Sequence, residues 1–266
     1  MKKKLKIYNI LLVVLVLIFA LASFFLAREM IKRNKAANYM AALQSEYIPT
    51  IPVTAPDTSD ENLSGSESDA EDIAVSTMTQ TSIANPSIQK LVADYPDVVG
   101  WLTVEGADVS HPFVQTKDNE TYLWTDLNRK YISGGTLFMD YFNTVDCSDK
   151  ITFIYGHNMK NGSMFGKLKK YLEFDYLTEN SDVYISFPLS TAHYTAAACL
   201  VVDSTDNIIF DSIGEKHEIQ DVVDYIYANA NVNPDVTIDA NSTLLVLSTC
   251  YYSYGNERTI LICVAD

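Results

Sequence analysis

Positive charge is the scarcest ingredient of this chain. Among 266 residues, 19 Lys and Arg stand against 34 Asp and Glu, a net charge of −15. The first 35 residues hold eight of the basic residues and a single acid, Glu29, which leaves 11 basic and 33 acidic residues, −22, for the remainder. No Lys or Arg falls between Lys35 and Lys90. Binding nucleic acid needs a basic face, so no nucleic-acid partner is expected. Cysteine is scarce too. Four of them, Cys147, Cys199, Cys250 and Cys263, do not make a disulfide scaffold in a domain of this size. Neither a CxxC pair nor a His/Cys cluster marks a metal site, and no metal or cofactor is expected. Cys199 and Cys263 lie inside apolar strand-like runs and read as core residues. There is no internal repeat.

Long uncharged apolar runs are nearly absent as well; the one present covers residues 7–27. Its 21 residues are mostly Leu, Ile, Val, Phe and Ala, and about 20 suffice to span the hydrocarbon core of a bilayer as a helix. Ala20-Leu21-Ala22 has the look of a signal-peptide cleavage site, but the run continues past it through Phe24, Phe25 and Leu26. An uncleaved single-pass anchor is therefore expected. Lys2, Lys3, Lys4 and Lys6 precede the run and Arg28, Lys32, Arg33 and Lys35 follow it, so flanking charge barely decides orientation. Residues 36–47 read as a short helix. From 48 to 85 the composition turns to Pro, Ser, Thr, Asp and Glu, and residues 57–72 are dense in acids. Such a stretch buries too little apolar surface to offset its ordering entropy. It reads as a flexible spacer, with an acidic docking segment as the alternative. The expected division is 1–6 as a cytoplasmic basic tail, 7–27 as the transmembrane anchor, 28–85 as juxtamembrane helix and acidic spacer, and 86–266 as one folded domain.

That domain opens on a helix. Pro86 suits a first helical turn, and Ile88, Leu91 and Val92 share one apolar face. Strand-like runs follow at 101–104, 112–115, 136–139, 151–155, 183–187, 194–202, 243–249 and 259–264. Residues 162–172 read as helical, with Met164, Phe165, Leu168 and Leu172 on one side. Residues 215–228 read as a further helix, with Ile219, Val222, Val223 and Ile226 as its inner stripe. Eight strands with one or two inserted helices fit a closed, mainly antiparallel β-barrel.

Two stretches carry candidate chemistry. Residues 243–258, TLLVLSTCYYSYGNER, begin as a fully buried type of strand and reach Cys250 at its end; Arg258 then opens the next apolar strand. A thiol at the end of a rigid strand beside a fixed cation is a plausible nucleophile, because cations favour the thiolate. Residues 151–159, ITFIYGHNM, end a second buried strand on His157, and imidazole titrates near neutrality. Read separately, Cys250 is also compatible with a small core residue, His157 with a hydrogen-bonded strand end, and Arg258 with a solvated strand-edge charge.

Together these motifs resemble the sortases, most closely those of class B. The resemblance rests on LSTC at 247–250, Arg258 in the following strand, and YGHNM at 155–159. Further matches are DVVGWLTVEG at 97–106, HPFVQTKDNETYL at 111–123, GGTLFMDYFN at 134–143 and GSMFGKLKKYL at 162–172. It runs in order from about residue 86 to the end of the sequence. It implies the sortase barrel, with 86–266 as catalytic domain, on the outer face of a Gram-positive cell membrane. By resemblance, Cys250 attacks a sorting-signal peptide near the C-terminus of a surface protein and forms a thioester. His157 protonates the leaving amine. An amine of a peptidoglycan precursor, or a pilin lysine, then resolves the thioester, and Arg258 steadies the substrate carbonyl. Ser248, two residues before the nucleophile, Asn119 and Leu123 on a groove-lining helical segment, and Ile209 are the implied substrate-binding residues. Tyr251 follows the cysteine where many sortases differ. Two other classes remain open at this point: a secreted cysteine peptidase that hydrolyses its acyl-enzyme, and a non-catalytic, membrane-tethered interaction module. The order His157 before Cys250, with an Arg in place of the Asn or Asp of papain-like enzymes, disfavours the peptidase.

Overall fold

The structure is a computed structural model and describes residues 2–51, 80–81, 84–210, 217–250 and 256–266. The acidic stretch at 57–72, Tyr251 and the first residues of the helix expected at 215–228 lie outside the described residues. The chain divides into two compact units, the N-terminal 43 residues and Gln44–Asp266.

The first unit belongs to α1 (Lys2–Tyr47). Leu, Val, Ile and Phe side chains from Leu11 to Leu26 stand exposed around the helix, which is long and apolar enough to cross a membrane. The helix expected at 36–47 forms, as the continuation of α1.

In the second unit, β1 (Gln80–Thr81) and α2 (Pro86–Asp94) precede the barrel. Pro86 stands at the first turn of α2, and of the expected apolar face Ile88 and Leu91 are buried and Val92 half-buried. The eight expected strands all form: β2 (Val98–Val104), β3 (Val109–Val114), β4 (Leu137–Met139), β5 (Ile151–His157), β6 (Asp182–Ser186), β7 (Thr191–Asp203), β9 (Leu244–Cys250) and β10 (Glu257–Ala265). Short β8 (Asn231–Val232) pairs with β7, as does β1. Neighbours run in the order β2-β3-β4-β5-β9-β10-β7-β6, and β6 also pairs with β2, which closes the ring. Closure removes the free sheet edges that an open sheet exposes. Six of these eight pairings are antiparallel; β3 with β4 and β5 with β9 are parallel. Every residue of β5 is buried, and residues 244–249 of β9 are buried as well. Their unbroken apolar runs follow from being covered on both faces. Trp101, Phe113, Phe153, Phe165, Tyr171 and Tyr194 are the largest fully buried side chains.

Among the described residues three α-helices are inserted: α3 (Phe174–Glu179), α4 (Asn207–Phe210) and α5 (Ile219–Asn229). Val222, Val223 and Ile226 form the buried stripe of α5 as expected, while Ile219, also expected on it, is half-buried at its first turn. The helix expected at 162–172 does not form. That segment turns back on itself, Met164 bridging to Asn158, and only Leu168–Leu172 winds into a 3-10 turn. The reason is local: Gly162 and Met164 take positive φ angles of 81° and 53°, outside the helical region. The helical segment expected around Asn119 and Leu123 is also a series of bends and turns. There the Asp118 carboxylate accepts hydrogen bonds from the amides of Glu120 and Thr121, a side-chain closure that competes with helix.

The second unit includes the last turn of α1. Gln44 Nε2 donates to the Ser110 carbonyl at 2.8 Å, Tyr47 Oη donates to Asp94 at 2.7 Å, and Glu46 pairs with Lys90. Tyr47 is buried there against Tyr95.

Candidate active site

The parallel pair β5/β9 sets the geometry. Its register places His157 opposite Cys250. Parallel strands travel the same way, so both strands end at one rim of the barrel. On the other side of β9, β10 runs antiparallel with Ile260 opposite Ser248. Arg258 lies two residues before Ile260, and Cys250 two residues after Ser248. The backbones of His157, Cys250 and Arg258 therefore reach the same rim on three adjacent strands. The Thr259 amide donates to Thr249 Oγ1 at 3.0 Å and holds β9 to β10 just behind it.

His157 is 2% exposed. Gly156 precedes it where any Cβ would come within 2.5 Å of Leu137 Cδ2 and 2.8 Å of Phe165; the missing side chain lets Phe165 pack directly on the strand. The Phe165 and Met159 amides both donate to the His157 carbonyl, at 3.0 and 3.1 Å, which ends β5 at this residue. The imidazole Nε2 lies 2.6 Å from the Leu123 carbonyl. A carbonyl only accepts, so Nε2 carries the proton, and the neutral ring has its lone pair on Nδ1. The Trp124 ring stands against the imidazole at 4.7 Å between centroids, and Tyr131 stacks on Trp124 at 6.5 Å. Burial pushes the His157 pKa below its ordinary value, and the Leu123 carbonyl partly offsets this.

Arg258 is half-buried. Its guanidinium carbon lies 5.2 Å from the centre of the Phe210 ring, and its Nε is buried with no hydrogen-bond partner among the described residues. Ser248 is fully buried on β9, its hydroxyl 3.4 Å from the Thr249 carbonyl. Leu123 stands at the site through its carbonyl. Asn119 is engaged on the turn after β4: its Nδ2 donates to Asp140 Oδ2 at 2.8 Å, and its Oδ1 accepts from the Tyr141 amide at 3.1 Å. Ile209 is 1% exposed in α4, packed inward. Trp124 and Phe210, the two rings against His157 and Arg258, escaped sequence reading. Nothing in their spacing sets them apart from core aromatics. Among the described residues no group of His, Cys, Asp and Glu could hold a metal. Cys147, Cys199 and Cys263 are buried free thiols, and burial pushes their pKa values up, which makes them poor nucleophiles.

A family model for the sortase domain matches residues 102–266. The chain belongs to the sortase family. Sortases of class B are among the proteins it resembles. Sortase B of Listeria monocytogenes is 32% identical over 156 residues, 58% of this chain and 63% of that protein, so the match leaves more than a third of the relative's length uncovered. A Streptococcus pyogenes class B sortase involved in pilus biogenesis superposes with a TM-score of 0.59 at 27% identity, over 67% of this chain and 97% of its own. A Staphylococcus aureus sortase B–substrate complex shares the fold, with a TM-score of 0.62 at 24% identity over 69% of this chain and 86% of its own.

Proposed function

We propose that the protein is a membrane-anchored cysteine transpeptidase acting on the sorting signals of surface proteins. One observation carries this reading: the parallel register that pairs His157 with Cys250, with Arg258 opening the adjacent strand at the same rim. Cys250 gives its thiol proton to His157 Nδ1, and its Sγ attacks the scissile carbonyl. The tetrahedral oxyanion lies against the Arg258 guanidinium, whose buried Nε has no hydrogen-bond partner among the described residues. As the C–N bond breaks, the imidazolium of His157 gives a proton to the leaving amine, and the acyl group stays on sulfur as a thioester. Since the Leu123 carbonyl holds Nε2–H, this exchange falls to Nδ1. An incoming amine then loses a proton to His157, attacks the thioester and releases Cys250. The acceptor is an amine of a peptidoglycan precursor or a lysine of a pilin subunit. Ser248, Asn119, Leu123 and Ile209 belong to the substrate side of this reading. Of these, the Leu123 carbonyl is the one that also touches a catalytic ring.

The division into a tail at 1–6, an anchor at 7–27, a stem and acidic spacer at 28–85 and a catalytic domain at 86–266 goes with this function. A single apolar helix tethers the enzyme, and the acidic body stands outside the membrane. Mass spectrometry of the protein incubated with a library of sorting-signal peptides tests the chemistry. A thioester adduct on Cys250 that converts to a ligated product on adding an amine is expected. Cleavage whose yield and product ignore the amine points to a hydrolase, and no adduct with any peptide refutes the proposal.

A further inference from the structure

Arginine is a long side chain with several rotatable bonds, and holding it in one place costs conformational entropy. The surroundings of Arg258 contain a device for doing so. Its guanidinium lies over the Phe210 ring, and the same ring packs against Phe153 of β5, 6.2 Å between centroids. Phe153 is fully buried, so the platform rests on the barrel core. Phe210 closes the four-residue α4, which is too short to hold its shape alone. Asp206 secures it: its Oδ1 accepts from the Ile209 amide at 3.0 Å and its carbonyl from the Phe210 amide at 3.3 Å. Asp206 Oδ2 in turn accepts the hydroxyl of Tyr225 on α5. The Ser204 amide donates to the Asn256 carbonyl at 2.6 Å, two residues before Arg258, and ties the same loop to the start of β10.

We propose that Phe210 is the positioning residue of Arg258, and that Asp206 and Tyr225 form the brace that keeps the ring in place. The inference rests on the reading of Arg258 as the group that steadies the substrate oxyanion. A cation over an aromatic face is attracted to the ring's negative quadrupole, and desolvation strengthens the attraction. The contact restrains the guanidinium over the ring, and its Nε has no hydrogen-bond partner among the described residues. The ring takes no part in the chemical step.

The test is a double-mutant cycle on the full-length chain, reading the rate of thioester formation under single turnover together with peptide KM. Phe210→Leu keeps an apolar side chain on Phe153 but removes the π face; it should slow acylation roughly 3- to 30-fold with KM little changed. Phe210→Tyr, which keeps the ring, should stay within about twofold of the parent. Tyr225→Phe should give a smaller loss than Phe210→Leu, because it loosens the brace without removing the ring. In an Arg258→Ala background, Phe210→Leu should add nothing, since the residue it positions is gone. A Phe210→Leu protein that acylates at the parental rate overturns the inference. So does an equal further loss in the Arg258→Ala background, which is what a role in general folding produces. If Arg258→Ala itself acylates normally, the underlying reading of Arg258 falls instead, and the two failures are thereby told apart.

Discussion

The rim where β5 and β9 end and the seam where β6, β7 and β10 meet each carry a histidine, and the two are held in opposite ways. At the seam, His193 sits between two carboxylates, Asp182 at Nε2 and Asp266 at Nδ1, with Thr195 Oγ1 donating to Asp266 at 3.0 Å and the ring stacked on Tyr184. At the rim, His157 is buried, its Nε2 bonded to a neutral backbone carbonyl and its face set against Trp124. A ring clamped by charge at both nitrogens is a structural tie. A ring oriented by a neutral carbonyl keeps its tautomer without an anion fixing its charge, which suits a group that takes up and gives back a proton within one catalytic cycle. The Leu123 carbonyl thus does at His157 what a carboxylate does in other histidine-dependent sites.

The strongest way to break this comparison is at the rim itself. Cys250→Ala should abolish the thioester, and His157→Gln should lower the acylation rate by about 10²–10⁴-fold; a folded variant of either kind that still acylates at the parental rate contradicts the assignment. Arg258→Lys keeps the charge but not the planar fork. Loss of one oxyanion donor is worth ~2.7–4 kcal/mol, so a roughly 100-fold drop in kcat with unchanged unfolding temperature is expected, and parental kcat is the contrary result.

A third histidine sharpens the comparison through pH. His111 on β3 is buried, its Nδ1 has no hydrogen-bond partner among the described residues, and burial pushes its pKa down to about 4. The unfolded chain takes up a proton near the ordinary pKa of ~6.5, whereas the folded chain does so only near the lowered value. Stability from this residue is therefore fully present above that ordinary pKa and is lost as pH falls from there towards the lowered one, by about 3 kcal/mol in all. Denaturation curves of His111→Leu between neutrality and that acid limit should fall less steeply than those of the parent; parallel curves would assign the acid sensitivity to other groups. The smallest effect belongs to the seam. His193→Gln should leave acylation within about twofold and change stability by no more than about 1 kcal/mol, the usual range for exposed ion pairs. A large loss of rate there would show that the seam is coupled to the rim.

Much of the barrel is legible in the sequence. Apolar runs of strand length located all eight barrel strands, most plainly β5 and β9, where burial on both faces writes an unbroken signature. The failures came where local chemistry overrides pattern. Met164, Phe165, Leu168 and Leu172 have helical spacing, yet Phe165 packs on Gly156 and Met164 bridges to Asn158, and positive φ angles break the helix. Asn119 carries the side-chain amide expected of a groove residue, but both ends of that amide are engaged on the neighbouring turn.

The sequence by itself determined the apolar helix of α1, the strand set, the acidic body and the choice of Cys250, His157 and Arg258 as candidates. These depend on composition, period and residue type, which are properties of short stretches. Only the tertiary structure decided that β5 and β9 run parallel and in a register that sets His157 against Cys250, although 92 residues separate those two positions along the chain. It also decided that the Leu123 carbonyl and Trp124 stand against His157 and that Phe210 stands against Arg258. Strand direction and register are chosen by how the whole ring closes, and ring contacts by which faces that closure turns together. No local pattern carries either, because their free energy lies in contacts between residues distant in sequence.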